Sequence, residues 1–93
     1  MGPERAFDWD DAKAQSNLVK HGVPFPYAVR VFLDPMAVDL DASRAGDKEV
    51  RRKAVGVIEG KLYVVVYVDR DDARRIIFAR RINAMEQRAY GQI

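Results

Sequence analysis

The sequence predicts an α+β domain whose sheet is built from consecutive hairpins, with helices on one of its faces. Three observations carry that prediction. Four runs rich in β-branched or aromatic residues follow one another between residues 37 and 81, separated by turn-prone stretches. Ahead of them lie two stretches with helical apolar spacing and recognisable helix ends. Helices and strands are thus segregated along the chain, which favours an antiparallel sheet over an alternating parallel one.

Each element has its own signal. Residues 6–9 are expected to form a short first strand, after which Asp8 or Asp10 caps a helix running to about His21. Gly22 followed by Pro24 stops it. A second helix is expected over residues 26–34, with Pro26 in its first turn and Phe25, Ala28, Val29 and Phe32 buried. It ends at Asp34, since a residue before proline avoids helical backbone angles. Strands follow at 37–41, 49–58, 62–68 and 74–81, with Glu59-Gly60 and residues 69–72 as hairpin turns. Asn83 and Glu86 have the spacing of a capping box for a short C-terminal helix. The expected order is β-α-α-β-β-β-β-α, an antiparallel sheet with two N-terminal helices packed on it.

In the central strand Leu62, Val64, Val66 and Val68 share one side, and Tyr63, Val65 and Tyr67 the other. Both sides are therefore partly covered, and the pattern does not say which one holds the helices.

Length and composition bound the function classes. Ninety-three residues, 48% hydrophobic and 32% charged, make one domain spanning residues 1–93 with a modest core. There is no cysteine, which excludes disulfides, thiolate metal sites and thiol nucleophiles and fits a reducing compartment. The longest apolar run, residues 62–68, is too short to cross a bilayer. The first residues carry charge where a signal peptide needs an apolar block, and Ala6 stands where a myristoylation signal has Ser or Thr. A cytoplasmic location is expected.

The net charge of +2 hides an asymmetry. Residues 1–47 hold five Lys/Arg against eight Asp/Glu, whereas residues 48–93 hold eleven against six. Concentrated positive charge binds polyanions by counterion release, so nucleic acid leads the partner classes. Basic residues solvating the outer faces of strands would give the same count.

Four of those eleven basic residues sit in residues 74–81, Arg-Arg-Ile-Ile-Phe-Ala-Arg-Arg. Alternation along a strand sends one arginine of each pair to each face. Arginine suits bidentate contact with phosphate, so a sheet carrying several of them is suited to an anion.

These residues together resemble the BrnT family. The resemblance rests on Trp9-Asp10 with Lys13, Asn17 and Lys20-His21-Gly22-Val23, then Phe25, Ala28, Phe32 and Asp34-Pro35. It continues through Glu49-Val50-Arg51, Gly56, Gly60, Arg75-Ile76-Ile77 and Ala79-Arg80-Arg81 to Glu86 and Tyr90, nearly the whole chain. It implies a RelE/ParE-like fold and the toxin of a type II toxin-antitoxin module, which cleaves RNA to block translation. It also implies a BrnA-type antitoxin as partner, a toxin-antitoxin heterotetramer, and contact with DNA only through that antitoxin. Phe78 stands where the family commonly has Ser, so any role of that hydroxyl is absent here.

Metal-free RNA cleavage needs a base for the 2′-hydroxyl, an acid for the 5′-oxygen, and cations at the phosphorus. No metal and no cofactor is expected, because the chain has no Cys/His cluster and no Gly-rich phosphate loop. Histidine ordinarily titrates near neutrality, which suits His21 to acid or base work, although a histidine beside Gly22 also suits a helix end. Lys13, Asn17, Lys20 and His21 fall within roughly a 100° sector of the first helix, a stripe for RNA phosphates or a solvated face. Glu49 and Arg51, two apart on the expected strand, offer a base and a phosphate clamp, or an ordinary ion pair. Arg80 is favoured over Arg81 for the phosphate, with Arg81 as RNA-binding support or antitoxin contact. Glu86 is expected as a cap, and Trp9 and Tyr90 as core residues. Two other classes fit the same fold: a ParE-like inhibitor of gyrase, and an RNA-binding module without activity.

Overall fold

The first helix begins where Asp10 can satisfy its open backbone donors. In the computed structural model, which describes residues 6–83 with Met85, Gln87 and Arg88, the Asp10 carboxylate accepts from Ala12 N–H at 2.8 Å and Lys13 N–H at 3.3 Å. Helix α1, Asp11–His21, closes on Gly22, whose φ of 70° only glycine adopts at little cost and whose N–H donates to Leu18 O at 2.8 Å. Both ends fall where the local signals put them.

The second helical segment is shorter than expected. Helix α2 is Phe25–Ala28, and the chain then tightens into a 3₁₀ turn over Val29–Leu33. Asp34 follows, and its carboxylate accepts from Met36 N–H at 2.9 Å and from Val57 N–H at 2.8 Å. A Cβ on Gly56 would lie 3.1 Å from Val31 Cγ1 and 3.2 Å from Asp34 Oδ2, so only a bare glycine lets this turn sit directly on the sheet.

Five strands follow the order β1-β5-β4-β3-β2 in one sheet, with β1 at Ala6–Asp8, β2 at Val38–Asp41, β3 at Arg52–Ile58, β4 at Lys61–Arg70 and β5 at Ala73–Arg81. The sheet is mixed, not antiparallel. β1 lies parallel to β5, pairing Phe7 with Arg74 and Asp8 with Arg75, while the other neighbours are antiparallel. Hairpin signals report only strands adjacent in sequence, and β1 reaches β5 across the whole intervening chain. The β3–β4 turn has positive φ at both Glu59 (51°) and Gly60 (81°), as a two-residue hairpin turn requires.

The third strand starts at Arg52 rather than at Glu49. Residues 49–51 leave the ladder because Ser43 Oγ accepts the Arg51 N–H at 2.9 Å, and Ala42 N–H donates to Arg51 O at 2.8 Å. The loop between β2 and β3 thereby folds back over the sheet instead of extending it.

β5 carries a bulge. Tyr67 pairs with Ile76 and Val66 with Phe78, leaving Ile77 as the extra residue. Ile76 and Ala79 therefore face the helices, whereas Phe78 faces the opposite side. The helix-side core joins Val23, Phe25, Ala28 and Val31 to Ala54, Tyr63, Val65, Tyr67, Ile76 and Ala79. A smaller cluster of Val55, Val64 and Ile82, with Leu62 against it, covers one end of the far face. Gln87 N–H donates to Asn83 O at 2.9 Å, while Glu86 and Tyr90, the expected cap and closing aromatic, lie outside the described residues.

Candidate functional site

β1 pairs only with residues 73–75 of β5, so the rest of that strand's outer edge needs another partner. Asn17 supplies it. Its carboxamide accepts from Ala79 N–H at 3.1 Å and donates to Ala79 O at 2.7 Å and to Val23 O at 3.2 Å, all buried. Those bonds lay α1 along β5 and fix which of its residues meet the sheet.

The meeting line is a hollow of about 180 Å³ lined by Lys13, Ser16, Asn17, Lys20, His21, Ile77 and Phe78. The spacing that put Lys13, Lys20 and His21 in one sector of α1 thus brings all of them to one hollow. The rings of His21 and Phe78 stand edge to face, 5.0 Å between centroids and 75° between planes.

A second hollow, about 220 Å³, adjoins it and shares Lys13 and the bulged Ile77. Its other walls are Asp47, Lys48, Glu49, Arg51, Val68 and Arg70. Together the two form a groove between α1 and the β2–β3 loop, lined by five Lys/Arg and two carboxylates. Lys13, Lys20 and His21 line one hollow and Lys13, Glu49 and Arg51 the other, even though Glu49 and Arg51 lie in a loop and not on a strand.

The two carboxylates are occupied by this structure. Glu49 holds Arg70 through two hydrogen bonds of 2.6 and 2.7 Å, and that donation keeps its carboxyl below the usual glutamate range. Glu49, expected as a base, is thus paired with Arg70 in this structure. Asp47 accepts from Arg44 N–H at 2.6 Å and lies 3.8 Å from the Arg51 guanidinium. That wide separation leaves Arg51 able to turn a donor toward an anion in the groove. Lys48 and Arg70 were not among the expected site residues; Arg70's partner is 21 positions away and gave no local signal.

The arginines of β5 divide as alternation requires. Arg80 pairs opposite Val64 and shares the far face with Phe78, and its Nη1 donates to Arg81 O at 3.4 Å. It is not in the lining of either hollow. Arg81 pairs opposite Tyr63 on the helix side and is exposed, away from the groove lining. Arg74 serves the fold: its guanidinium lies 4.3 Å from the Tyr67 ring and 4.8 Å from that of Phe32, and it bonds Asp69 at 2.7 and 3.1 Å. Arg75 is 3.6 Å from Asp8 of β1. Trp9 packs edge to face on Phe25 at 6.0 Å against the core.

A further hollow of about 230 Å³ lies against Arg30, Leu33, Asp34, Val57, Ile58 and Glu59. Arg30 and Glu59 neutralise each other at 3.0 Å and Asp34 is committed to backbone donors, so it offers little chemistry. Among the described residues no cluster of three or more His, Cys, Asp or Glu is placed to hold a metal ion. None of their helices is long and apolar enough to cross a membrane.

An α+β domain with a basic groove carrying a histidine and an arginine fits the class of small proteins that act on nucleic acid. The sequence model of the BrnT family, the ribonuclease toxin of type II toxin-antitoxin systems, matches residues 9–86, and the chain belongs to that family. Membership makes it a ribonuclease toxin, with RNA as its target and an antitoxin as its partner. No curated protein matches the chain significantly.

Proposed function

We propose that this toxin cuts RNA without a metal ion, with the groove between α1 and the β2–β3 loop as its active site. The observation that carries the reading is that His21, Lys13 and Lys20 of α1 line one hollow and Arg51 of the loop lines the next, the two hollows sharing Lys13 and Ile77. His21 takes the proton of the 2′-hydroxyl, whose oxygen attacks the adjacent phosphorus. The bond to the 5′-oxygen breaks, and that oxygen leaves with the proton of the imidazolium just formed. The products are a 2′,3′-cyclic phosphate and a 5′-hydroxyl end. Arg51 meets the charge that builds on the phosphoryl oxygens. Arg80 stands one strand repeat from Phe78 on the same face and binds the next phosphate. Lys13 and Lys20 hold the backbone on either side, and Arg81, on the other face, contributes only long-range attraction.

The same reading makes the fold RelE/ParE-like, places the protein in the cytoplasm, and gives it a BrnA-type antitoxin. That antitoxin covers the groove, in a toxin-antitoxin heterotetramer whose DNA contacts belong to the antitoxin.

The test is cleavage of purified single-stranded RNA in EDTA. Cyclic phosphate ends are expected, and RNA with a 2′-deoxy residue at the cut should resist. His21→Ala should lower the rate by about 10²- to 10⁴-fold. Cleavage that appears only on adding a divalent cation would sink the metal-free mechanism.

A further inference from the structure

We infer that Phe78 is the stacking platform for an unpaired RNA base beside the bond that is cut, an assignment that rests on the cleavage reading above. Phe78 is a large aromatic that belongs to neither hydrophobic cluster. Its cross-strand neighbour on the far face is Val66, itself only partly buried, and the covered end of that face is built from Val55, Val64 and Ile82 instead. Phe78 therefore has a partly exposed ring whose burial the fold does not use.

Its surroundings point to a nucleobase. Among the residues lining the groove it is the one Phe, Tyr or Trp, and the hollow it lines also holds Lys13, Lys20 and His21. A ring flanked by ammonium groups suits a nucleotide, with the base on the aromatic and the phosphates on the cations. A duplex hides its base faces, so the platform selects single-stranded or looped RNA. The His21 ring lies 5.0 Å away and at 75° to that of Phe78, so a base stacked parallel to Phe78 would also be steeply inclined to the imidazole. The ring that holds the base also buttresses the imidazole. Every nucleobase has a π face, so the contact tolerates any of the four.

The experiment uses the full chain and a short single-stranded RNA that carries 2-aminopurine, with 2′-deoxy at the cut so that it binds without reacting. Quenching of the 2-aminopurine on binding is expected for the wild type and for Phe78→Trp. Phe78→Leu should lose most of the quench and about 10-fold in affinity. A purely structural role would lower the melting temperature without moving the quench, so both are measured on each variant.

A folded Phe78→Leu protein with wild-type quench and affinity overturns the assignment, as does a wild type that binds RNA with no quench. Loss of antitoxin binding alone, with RNA binding intact, also overturns it, since the ring would then serve a protein contact. A wild type that binds and quenches but leaves the all-ribose RNA uncut supports the platform while removing the cleavage reading. Cleavage and quench that both continue unchanged in Phe78→Leu remove the platform and leave cleavage standing.

Discussion

The side chain of Asn17 binds the backbone of Ala79 as a neighbouring strand would, accepting its N–H at 3.1 Å and donating to its carbonyl at 2.7 Å. Asp34 does half of the same task at the other side of the sheet, accepting the N–H of Val57 where β3 runs past the end of β2. Two polar side chains thus close stretches of backbone that short edge strands leave open.

Asn17→Ala leaves three buried backbone bonds unmade, and should cost about 3 kcal/mol in urea unfolding. Asn17→Asp should be nearly as harmful, because a carboxylate can accept from Ala79 but repels the carbonyls of Ala79 and Val23. A loss below about 0.5 kcal/mol for both variants would mean that α1 is held elsewhere.

Acid stability should depend on Asp34. Bonds from Val57 and Met36 N–H hold its carboxyl below the usual aspartate range. A carboxyl with a depressed folded pKa stabilises above its unfolded value and loses that contribution as pH falls through the folded one. The stability gap between wild type and Asp34→Ala should therefore be full at neutral pH and shrink below about pH 4. A gap independent of pH would show that the contact is steric.

Arg74 and Arg80 should separate stability from activity. Arg74→Ala removes a guanidinium held against Tyr67 and Phe32 and is expected to cost about 1–2 kcal/mol while leaving cleavage per folded molecule intact. Arg80→Ala should lower RNA cleavage and relieve growth arrest by more than its loss of stability accounts for, when cleavage is expressed per folded molecule. The reverse pattern would exchange their roles.

Salt dependence measures the lysines. Lys13→Ala and Lys20→Ala should each reduce the slope of log affinity for single-stranded RNA against log salt by about 0.7, one phosphate contact apiece. An unchanged slope in either variant would place that lysine outside the RNA path.

Features written in local chemistry were legible from sequence. Asp10 and Gly22 bound α1 where capping rules put them, and helical periodicity grouped Lys13, Lys20 and His21 on one side. Features that depend on distant partners were not. Nothing near residues 6–8 says that they pair parallel with residues 73–75, and no glycine or proline marks the bulge at Ile77. Glu49 and Arg51 looked like strand residues until Ser43 captured the Arg51 backbone and Arg70 captured Glu49. The site was therefore half readable: the α1 wall came from periodicity, whereas the loop wall exists only through tertiary contacts.

The position of β5 between the first and fourth strands has a consequence for how the toxin is made. Lys13, Lys20 and His21 belong to the first quarter of the chain, yet they acquire an opposing wall only from Ile77 and Phe78, near its other end. A nascent chain still lacking β5 has an unpaired first strand, no Ala79 for Asn17 to hold, and no groove. The ribosome making this protein thus releases most of it before that groove can exist.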